Sequence, residues 1–460
     1  MRARVFSPAW LAWLALGLAA LSCRASQPLT GAGTDYDALL AMIGPARVVM
    51  LGEATHGSRE FYRERARISR RLIDEQGFDA VVLEAPWEPV RRLDDYIRGE
   101  GRDRDAAAAL AGFVRFPAWP SRNGELRDFA ESLRAVNRLR VGRSAPVRLY
   151  GMDLYSVPES ADAVVRHVAR RSVAAAALAR QRYRCFDDYL AEPMFYGREA
   201  ESGRAASCAA GAAAQLAEMD SAAADEDDFL AWQSARTVSS GEGYYRALYR
   251  GESVGSWNLR ERHMADTLVQ LLERLGPQSR IVVWAHNLHQ GDARATDQAR
   301  GGELSLGQLM RERFGDGAVL VGFSTHRGRV RAAPGWGAPD RVRRLRPALR
   351  GSWHDLLHRR LPRGGPPALL LIFRGDPALA AEFAVQRPQR AVGVIYLPHA
   401  ERRDHYFHAT LSAQFDAVIH IDVTAAIDSL GRQGPASRAG VSAVPAAQRR
   451  ERSRIARAPD

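Results

Sequence analysis

The chain of 460 residues contains no lysine, so all 65 of its basic side chains are arginine. Its formal net charge is +12, but the last stretch, Gly431 to Asp460, holds seven arginines against two carboxylates and accounts for +5 of that charge. The rest of the chain carries a small excess of positive charge. An arginine bias that accompanies many alanines is not the pattern of a phosphate-binding stripe. We therefore expect no binding to nucleic acid.

Cysteine is also scarce, with three in the chain. Cys185 and Cys208 belong to neither a CxxC motif nor a Cys/His cluster, so a structural zinc site of the usual kind is unsupported. In an exported protein the two could form a disulfide. They could equally be two unrelated small core residues, and the sequence leaves both interpretations open.

Long apolar runs are absent except at the N terminus. There Arg2 and Arg4 precede an apolar run over residues 9–21, which has the length of a secretory signal and is too short to span a bilayer comfortably. We predict a signal peptide over residues 1–25 and export to the periplasm or cell envelope. Cys23 is then either the lipid-bearing cysteine of a lipoprotein, which would attach the protein to a membrane, or is removed with the signal.

Several familiar catalytic motifs are missing as well. No GxSxG closes a strand, and the chain has no HExxH, no GxxxxGK[ST] and no GxGxxG after a strand. Their absence argues against the usual α/β serine hydrolases, zincins, P-loop proteins and dinucleotide-binding proteins. The composition, 46% hydrophobic and 8% aromatic, is that of a globular protein.

Apolar runs of strand length alternate with helical segments along the chain, which predicts parallel βαβ units. We predict an α/β fold with one mostly parallel sheet flanked by helices. The helix after the first run is expected over about residues 59–76, stopped by Gly77. The eight runs are RVVMLGE, FDAVVLEAP, PVRLYGMDL, SRIVVWAHN, AVLVGFST, PALLLIFRG, AVGVIYLP and FDAVIHID.

The middle of the chain has a different pattern. Between residues 157 and 275 the strand-like runs give way to Ala-rich and Arg/Glu-rich segments. We predict a helical subdomain there, inserted into a single domain of residues 36–430. The tail over residues 431–460 is rich in Gly, Pro, Ser, Ala and Arg and is predicted to be disordered.

Four of the strand runs finish in ionisable side chains. In an open parallel sheet, ligands bind beyond the carboxyl ends of the strands, so these groups should meet at one edge. Taken singly, each is a common helix cap or structural histidine, but their repetition at one edge favours a site for proton transfer or metal binding. The residues are Glu53 with His56, Glu84, Asp153, and His286 with His289.

Arg65 adds an independent signal. At 100° per residue it is the only charged side chain in the broad apolar arc of its helix. It could snorkel or form a structural salt bridge, or it could reach back to the strand ends to orient a carboxylate or stabilise an oxyanion. The pattern leaves both open. The other residues of the arc are Phe61, Tyr62, Ala66, Ile68, Ser69, Leu72 and Ile73.

Together these residues resemble the erythromycin esterase family of hydrolases. The resemblance implies an α/β fold with a helical portion and hydrolysis by water, with a histidine as general base and no acyl-enzyme. Members after which the family is named open the lactone ring of macrolide antibiotics. The similar blocks, in order from about Tyr36 to Ile427, are LGEATHG with EFYRERARISRRL, VVLEAPW, YGMDL, WNLRERHMADTL, VVWAHNLH, LGQLMRERFGD leading to VGFST, and FDAVIHID.

The resemblance also implies roles for residues of this chain. His56 would be the base, and the expected substrate is a small-molecule ester or lactone, with macrolides as one candidate and no cofactor. The groups that organise the base would be Glu53, Arg65 and Glu84, with His286 across the cleft. Supporting or substrate-binding roles would fall to Asp153, Arg260 and His289.

Two other interpretations use the same residues. A metal-dependent hydrolase would bind a divalent ion such as Mn, Zn or Fe through the His/Glu cluster. A non-catalytic envelope protein would keep the cleft for ligand binding without turnover. Metal analysis and substitution of His56 distinguish these from a general-base esterase.

Overall fold

The computed structural model describes residues 26–219 and 225–431. The predicted signal peptide, Cys23 and nearly all of the predicted tail lie outside these residues. Within them the strands are β1 (Ser26–Pro28), β2 (Val48–Leu51), β3 (Ala80–Pro86), β4 (Arg148–Asp153), β5 (Ile281–Trp284), β6 (Ala318–Ser324), β7 (Arg327–Ala332), β8 (Arg341–Leu345), β9 (Ala368–Ile372), β10 (Gln386–Arg390), β11 (Tyr406–Thr410), β12 (Ala417–Ile421) and β13 (Val423–Thr424).

The α-helices of the same residues surround the strands. They are α1 (Asp37–Ile43), α2 (Arg59–Gln76), α3 (Trp87–Arg98), α4 (Ala106–Leu110), α5 (Gly124–Arg140), α6 (Val157–Ala169), α7 (Val173–Tyr183), α8 (Pro193–Glu201), α9 (Ala209–Ala217), α10 (Glu226–Tyr249), α11 (Ser253–Leu275), α12 (Asn287–Gln290), α13 (Asp297–Arg300), α14 (Leu306–Phe314), α15 (Trp353–Arg360), α16 (Pro377–Glu382), α17 (Glu401–Asp404) and α18 (Leu411–Gln414).

Eight of the strands form the central sheet, in the order β1-β9-β12-β6-β2-β5-β3-β4. The pairings from β12 to β4 are all parallel, and only the two that join β1 to β9 and β9 to β12 are antiparallel. The predicted fold class, an α/β protein with a mostly parallel sheet flanked by helices, is confirmed. Two small sheets, β10-β11 and β13-β7-β8, lie apart from the central one.

Strand β2 illustrates why the central strands are apolar throughout. All four of its side chains are buried, because helices cover both faces of a parallel sheet. Val49 and Leu51 belong to the same apolar cluster as Phe61 of α2. Val48 and Met50, which point to the opposite face, belong to the cluster that contains Met264 of α11. Each such fully buried side chain contributes about 1.5–3 kcal/mol to folding.

The helical middle of the chain has a core of its own. Helices α6 to α11 run from Val157 to Leu275, and the described residues of this segment contain no strand. They enclose a third apolar cluster that includes Val157, Tyr196 and Val238. Cys185 and Cys208 form a disulfide, with their Cα atoms 5.6 Å apart. The sequence left two interpretations open for these cysteines, and the structure shows the disulfide.

One predicted strand is wrong. The run AVGVIYLP, residues 391–398, does not join the central sheet and makes only isolated bridges, Thr55 to Val392 and Ala333 to Ile395. Its backbone is hydrogen-bonded instead to the loop after β2, where the Val392 N–H donates to the Ala54 carbonyl. The eighth place in the sheet is taken by β1, a three-residue strand too short to be recognised from its pattern.

A separate observation concerns membranes. Among the described residues, no helix is both long and apolar enough to cross a bilayer.

Candidate active site

The predicted site residues come together at the carboxyl edge of four neighbouring strands. In the sheet, β5 lies between β2 and β3, and β4 follows β3. All four are parallel, so their carboxyl ends meet at one edge. Residues from α2 and α11 reach this edge from the two faces of the sheet. The residues that meet there are Glu53, His56, Arg65, Glu84, Asp153, Arg260, His286 and His289.

Glu53 holds the first pair of partners. It follows β2 and is only 2% exposed. Its Oε1 atom lies 2.7 Å from Nδ1 of His56, and its Oε2 atom accepts a hydrogen bond from Nη2 of Arg65 at 2.8 Å. A carboxylate bound to Nδ1 fixes the ring orientation and leaves Nε2 of His56 as the basic nitrogen. The His56 side chain is 15% exposed and that of Glu53 is 3% exposed, so the ring is the more accessible of the two.

The charges around His56 change its basicity. Burial lowers the pKa of His56, but the hydrogen bond to Glu53 and the negative charges of Glu84 and Glu53 outweigh it, so the net pKa lies above 6.5. The raised pKa makes His56 a stronger proton acceptor than a free imidazole.

Arg65 is buried and serves Glu53. Its guanidinium carbon lies 4.4 Å from the ring centre of Tyr62 and 4.8 Å from that of Trp284. Two aromatic faces and one carboxylate therefore compensate the buried cation. The structure thus places the guanidinium of Arg65 on Glu53 at the strand ends, as a buried salt bridge.

The two glycines of LGEATHG are required by close packing. A Cβ atom on Gly52 would collide with Oδ1 of Asn287, and one on Gly57 would collide with the backbone of Arg331. Both glycines have ordinary negative or extended backbone angles, so the requirement is space and not a left-handed conformation. The backbone N–H of Asn287 also donates a hydrogen bond to the Glu53 carbonyl at 2.9 Å. The backbone that carries Glu53 and His56 is thus clamped on two sides.

His286 lies next to His56. The two ring centres are 4.9 Å apart. Nδ1 of His286 accepts a hydrogen bond from the backbone N–H of Leu288 at 3.2 Å, so the proton of the neutral ring lies on Nε2. The backbone of Ala54 is near the ring, but no well-formed hydrogen bond reaches the buried Nε2 atom from the described residues.

The protonation state of His286 follows from its surroundings. Burial and the nearby His56 hold the pKa of His286 well below 6.5, against the opposing effect of Glu84. The ring is therefore neutral at pH 7 and presents a buried N–H donor beside the base.

Glu84 connects the two halves of the site. Its Oε2 atom accepts the backbone N–H of His286 at 2.8 Å, and its Oε1 atom accepts Nη2 of Arg260 at 2.9 Å and lies 3.1 Å from Nε2 of His289. Burial alone would raise the pKa of Glu84, but the positive charges of His289, His56 and Arg260 hold it well below its usual range. Glu84 is therefore an ionised residue that places His286.

Arg260 and Asp153 form a buried pair beside Glu84. Arg260, on α11, donates from Nε to Oδ1 of Asp153 at 3.0 Å and from Nη2 to Oδ2 at 2.6 Å. This two-point geometry is typical of strong guanidinium–carboxylate pairs. The guanidinium also lies 5.2 Å from the ring centre of Tyr155.

Sequence reasoning missed Glu261, the next residue of α11. It is completely buried, and its Oε1 atom lies 2.5 Å from Nδ1 of His289. The signal that could have found it is the one that found Arg65. Glu261 stands three, four and seven residues before Met264, Ala265 and Leu268, so it is a charged residue on an apolar helix face.

A family model described as Erythromycin esterase matches residues 73–424. The chain belongs to the erythromycin esterase family. The resemblance predicted from the sequence is confirmed, and family membership supports a hydrolase that acts on esters. The matched region begins downstream of Glu53, His56 and Arg65 and contains the five other predicted site residues.

A curated member of the erythromycin esterase family matches a shorter stretch. Erythromycin esterase type II of Escherichia coli is 32% identical over 79 residues, which are 17% of this chain and 19% of that protein. The chain thus matches about a fifth of the length of this relative.

Solved structures show the same fold over most of their length. A succinoglycan biosynthesis protein has a TM-score of 0.72 and 21% identity, covering 88% of this chain and 96% of its own. A Bacillus cereus protein has a TM-score of 0.72 and 18% identity, covering 88% and 97%. The erythromycin esterase EreC, a histidine-to-asparagine mutant in its open conformation, has a TM-score of 0.61 and 17% identity, covering 87% and 96%. At these identities the likeness shows the fold.

The donor atoms of this candidate site are largely occupied by one another. Among residues 26–219 and 225–431, no group of three or more His, Cys, Asp or Glu side chains is arranged to hold a metal ion. Both carboxylate oxygens of Glu53, Glu84 and Asp153 are bound by N–H groups of arginine, histidine or backbone. The arrangement can hold and move a proton at His56 and can stabilise negative charge near His286.

Proposed function

We propose that the protein hydrolyses a carboxylic ester or lactone by a water molecule that His56 activates, without a cofactor. The observation that carries the proposal is the pair of Glu53 and His56, 2.7 Å apart, placed opposite the neutral, buried His286. Ester hydrolysis by water requires a base and a hydrogen-bond donor for the oxyanion. Here a carboxylate orients the base, and the donor is a buried N–H group.

The first step is attack of water on the carbonyl carbon. Nε2 of His56 takes one proton from the water, and the resulting hydroxide forms a bond to the carbonyl carbon. Glu53, bound to Nδ1, stabilises the imidazolium that forms. The carbonyl oxygen becomes an oxyanion, and in this proposal the Nε2–H group of His286 stabilises it.

The second step is collapse of the tetrahedral intermediate. The bond to the alkoxy oxygen breaks, and His56 returns its proton to that oxygen as a general acid. The products are an alcohol and a carboxylic acid, which then releases its proton to solvent and becomes a carboxylate. The two groups remain in one molecule when the substrate is a lactone. This route needs no serine nucleophile, in agreement with the missing GxSxG motif.

The substrate class and the cellular location are parts of the same proposal. A macrolide lactone is the first candidate, because a relative is named for erythromycin hydrolysis. Export to the periplasm or cell envelope, with lipid on Cys23 as one form of attachment, is proposed from the N-terminal apolar run.

The test is hydrolysis of a panel of macrolides and aryl esters, followed by mass spectrometry. We expect a product heavier by one water from a lactone, and a loss of rate of about 10²–10⁴-fold in His56→Ala. His399→Ala, at an exposed histidine, is the matched control and should keep full activity. Activity should also survive a chelator.

Two outcomes would contradict the proposal. Loss of activity with chelator and recovery with Mn or Zn would favour the metal-dependent hydrolase. A ligand that binds equally well to wild type and His56→Ala, with no turnover of any substrate, would favour the non-catalytic binding protein.

A further inference from the structure

Glu261 links the candidate site to a second part of the fold. It is 0% exposed, and its two carboxylate oxygens have different partners. Oε1 lies 2.5 Å from Nδ1 of His289, and Oε2 accepts the backbone N–H of Leu306, the first residue of α14, at 2.8 Å. A buried carboxylate with a charge-assisted hydrogen bond on each oxygen has little freedom to move.

The ring of His289 is held on three sides. Glu261 binds one nitrogen, and Glu84 lies 3.1 Å from the other. Trp257, one turn before Glu261 on the same helix, stacks on the ring face with the ring centres 4.7 Å apart and the planes inclined by 12°. Such a ring has one orientation available to it.

A carboxylate lies at each nitrogen of His289, and Nη1 of Arg260 lies 3.0 Å from Nε2. Burial lowers the pKa of His289, but Glu261 and Glu84 outweigh burial and the repulsion from Arg260, and raise the pKa to about 10. The charged groups facing the ring are Glu261 and Arg260 from α11, Glu84 from β3, and His56 from the loop after β2. These charges favour the protonated form of the His289 ring at neutral pH.

We propose that Glu261 is a positioning residue that keeps His289 as an imidazolium, so that its Nε2–H group holds Glu84, which in turn places the backbone of His286 for the reaction. This inference rests on the proposed function for its catalytic consequence. The arrangement of the three residues is independent of it.

The negative charge of Glu261 is the essential feature. If His289 lost a proton, its Nε2 atom would accept a hydrogen bond from Nη1 of Arg260, which is already 3.0 Å away. Glu84 would then lose one of its donors, and the His286 backbone would be held less firmly. A glutamine at position 261 can still accept a hydrogen bond from the ring, but it supplies no charge to keep the second proton in place.

The test compares Glu261→Gln with wild type between pH 6 and 10. We expect kcat to fall at high pH in the variant, with the basic limb moved to lower pH by at least about one pH unit, and KM little changed. Glu261→Asp, which keeps the charge, should restore part of the wild-type profile. NMR titration of the His289 ring should show the same downward shift in Glu261→Gln.

A control separates positioning from folding. Asn258, on the same helix, binds the Gly302 carbonyl and the Leu304 backbone N–H, each at 2.8 Å, without touching His289. Asn258→Ala should therefore loosen this segment and leave the pH profile unchanged. A Glu261→Gln variant that lowers Tm but keeps both the wild-type basic limb and the His289 titration would overturn the proposal.

The NMR titration tests the role of Glu261 separately from the proposed ester hydrolysis. If no ester is hydrolysed by wild type, the NMR titration still decides whether Glu261 keeps His289 charged. An unshifted His289 titration would disprove the inference whatever the activity.

Discussion

At the scale of single residues, the site depends most on Glu53, because its two oxygens bind two different partners. One oxygen fixes the ring of His56, and the other binds the buried Arg65. Arg65 in turn is held between Tyr62 and Trp284. The orientation of the base is therefore set by buried residues.

The first prediction concerns Glu53→Gln. Glu53 raises the pKa of His56, and His56 accepts a proton only in its unprotonated form. Removing the charge should lower that pKa and move the acidic limb of kcat/KM to lower pH. On the plateau, kcat should fall by about 10²–10⁴-fold, since the imidazolium loses its carboxylate.

The measurement is a pH–rate profile with the best ester substrate. Glu75→Gln, at an exposed glutamate near the end of α2 that pairs with Arg71, is the matched control. An acidic limb that stays in place in Glu53→Gln would show that His56 is not the titrating base.

At the scale of elements, the disulfide is a covalent restraint within the helical middle. Its apolar cluster includes Tyr196, Cys208 and Val238, which come from three different helices or their ends. The disulfide joins residues 23 positions apart, between a short 3-10 helix and the start of α9. The bridge therefore limits the unfolded conformations of α8 and its flanks.

The second prediction follows from that loop. A Cys185→Ala/Cys208→Ala variant should lose about 3 kcal/mol of unfolding free energy, the loop-closure contribution of a bridge of this span. Urea unfolding with and without reductant measures it. Reductant should lower the midpoint of wild type and leave that of the variant unchanged. An equal midpoint for reduced and oxidised wild type would contradict the prediction.

At the scale of the whole molecule, the site is also the junction between the sheet and the helical middle. Arg260 comes from α11, whereas its partner Asp153 is the last residue of β4 and its partner Glu84 lies near the end of β3. The buried ion pairs therefore hold the two parts of the fold together, and breaking them leaves buried carboxylates without their cation.

The third prediction is that Arg260→Met destabilises the protein by about 3–5 kcal/mol at pH 7. The folded-state pKa of Glu84 is depressed, so its contribution to stability is present above the unfolded pKa of about 4.3 and is lost as pH falls. The variant has less of this contribution. The difference from wild type should be largest above about pH 5 and shrink in more acidic solution.

Denaturant unfolding at several pH values measures this difference. Arg262→Met, at an exposed arginine two residues further along α11, is the control and should unfold like wild type. A difference that grows on acidification would contradict the assignment of Arg260 to Glu84 and Asp153.

Local pattern was sufficient for most of the architecture. Seven of the eight predicted runs are strands of the central sheet, because buried parallel strands are apolar along their whole length. Helix α2 has the predicted bounds and ends at Gly77, whose φ of +70° suits glycine. The prediction of a sheet strand over residues 391–398 was wrong because an apolar run indicates burial but does not identify the hydrogen-bond partner of its backbone.

The sequence by itself determined the fold class and the chemistry of the strand ends, since hydrophobic periodicity and residue type are local properties. Only the tertiary structure decided which of those groups meet. His286 N–H binds Glu84 across 202 residues of chain, and Arg260 binds Asp153 across 107. These pairings exist because β5 inserts between β2 and β3 and because α11 crosses their ends. The order of strands and the crossing of helices are set by packing of the whole chain, which no local pattern contains.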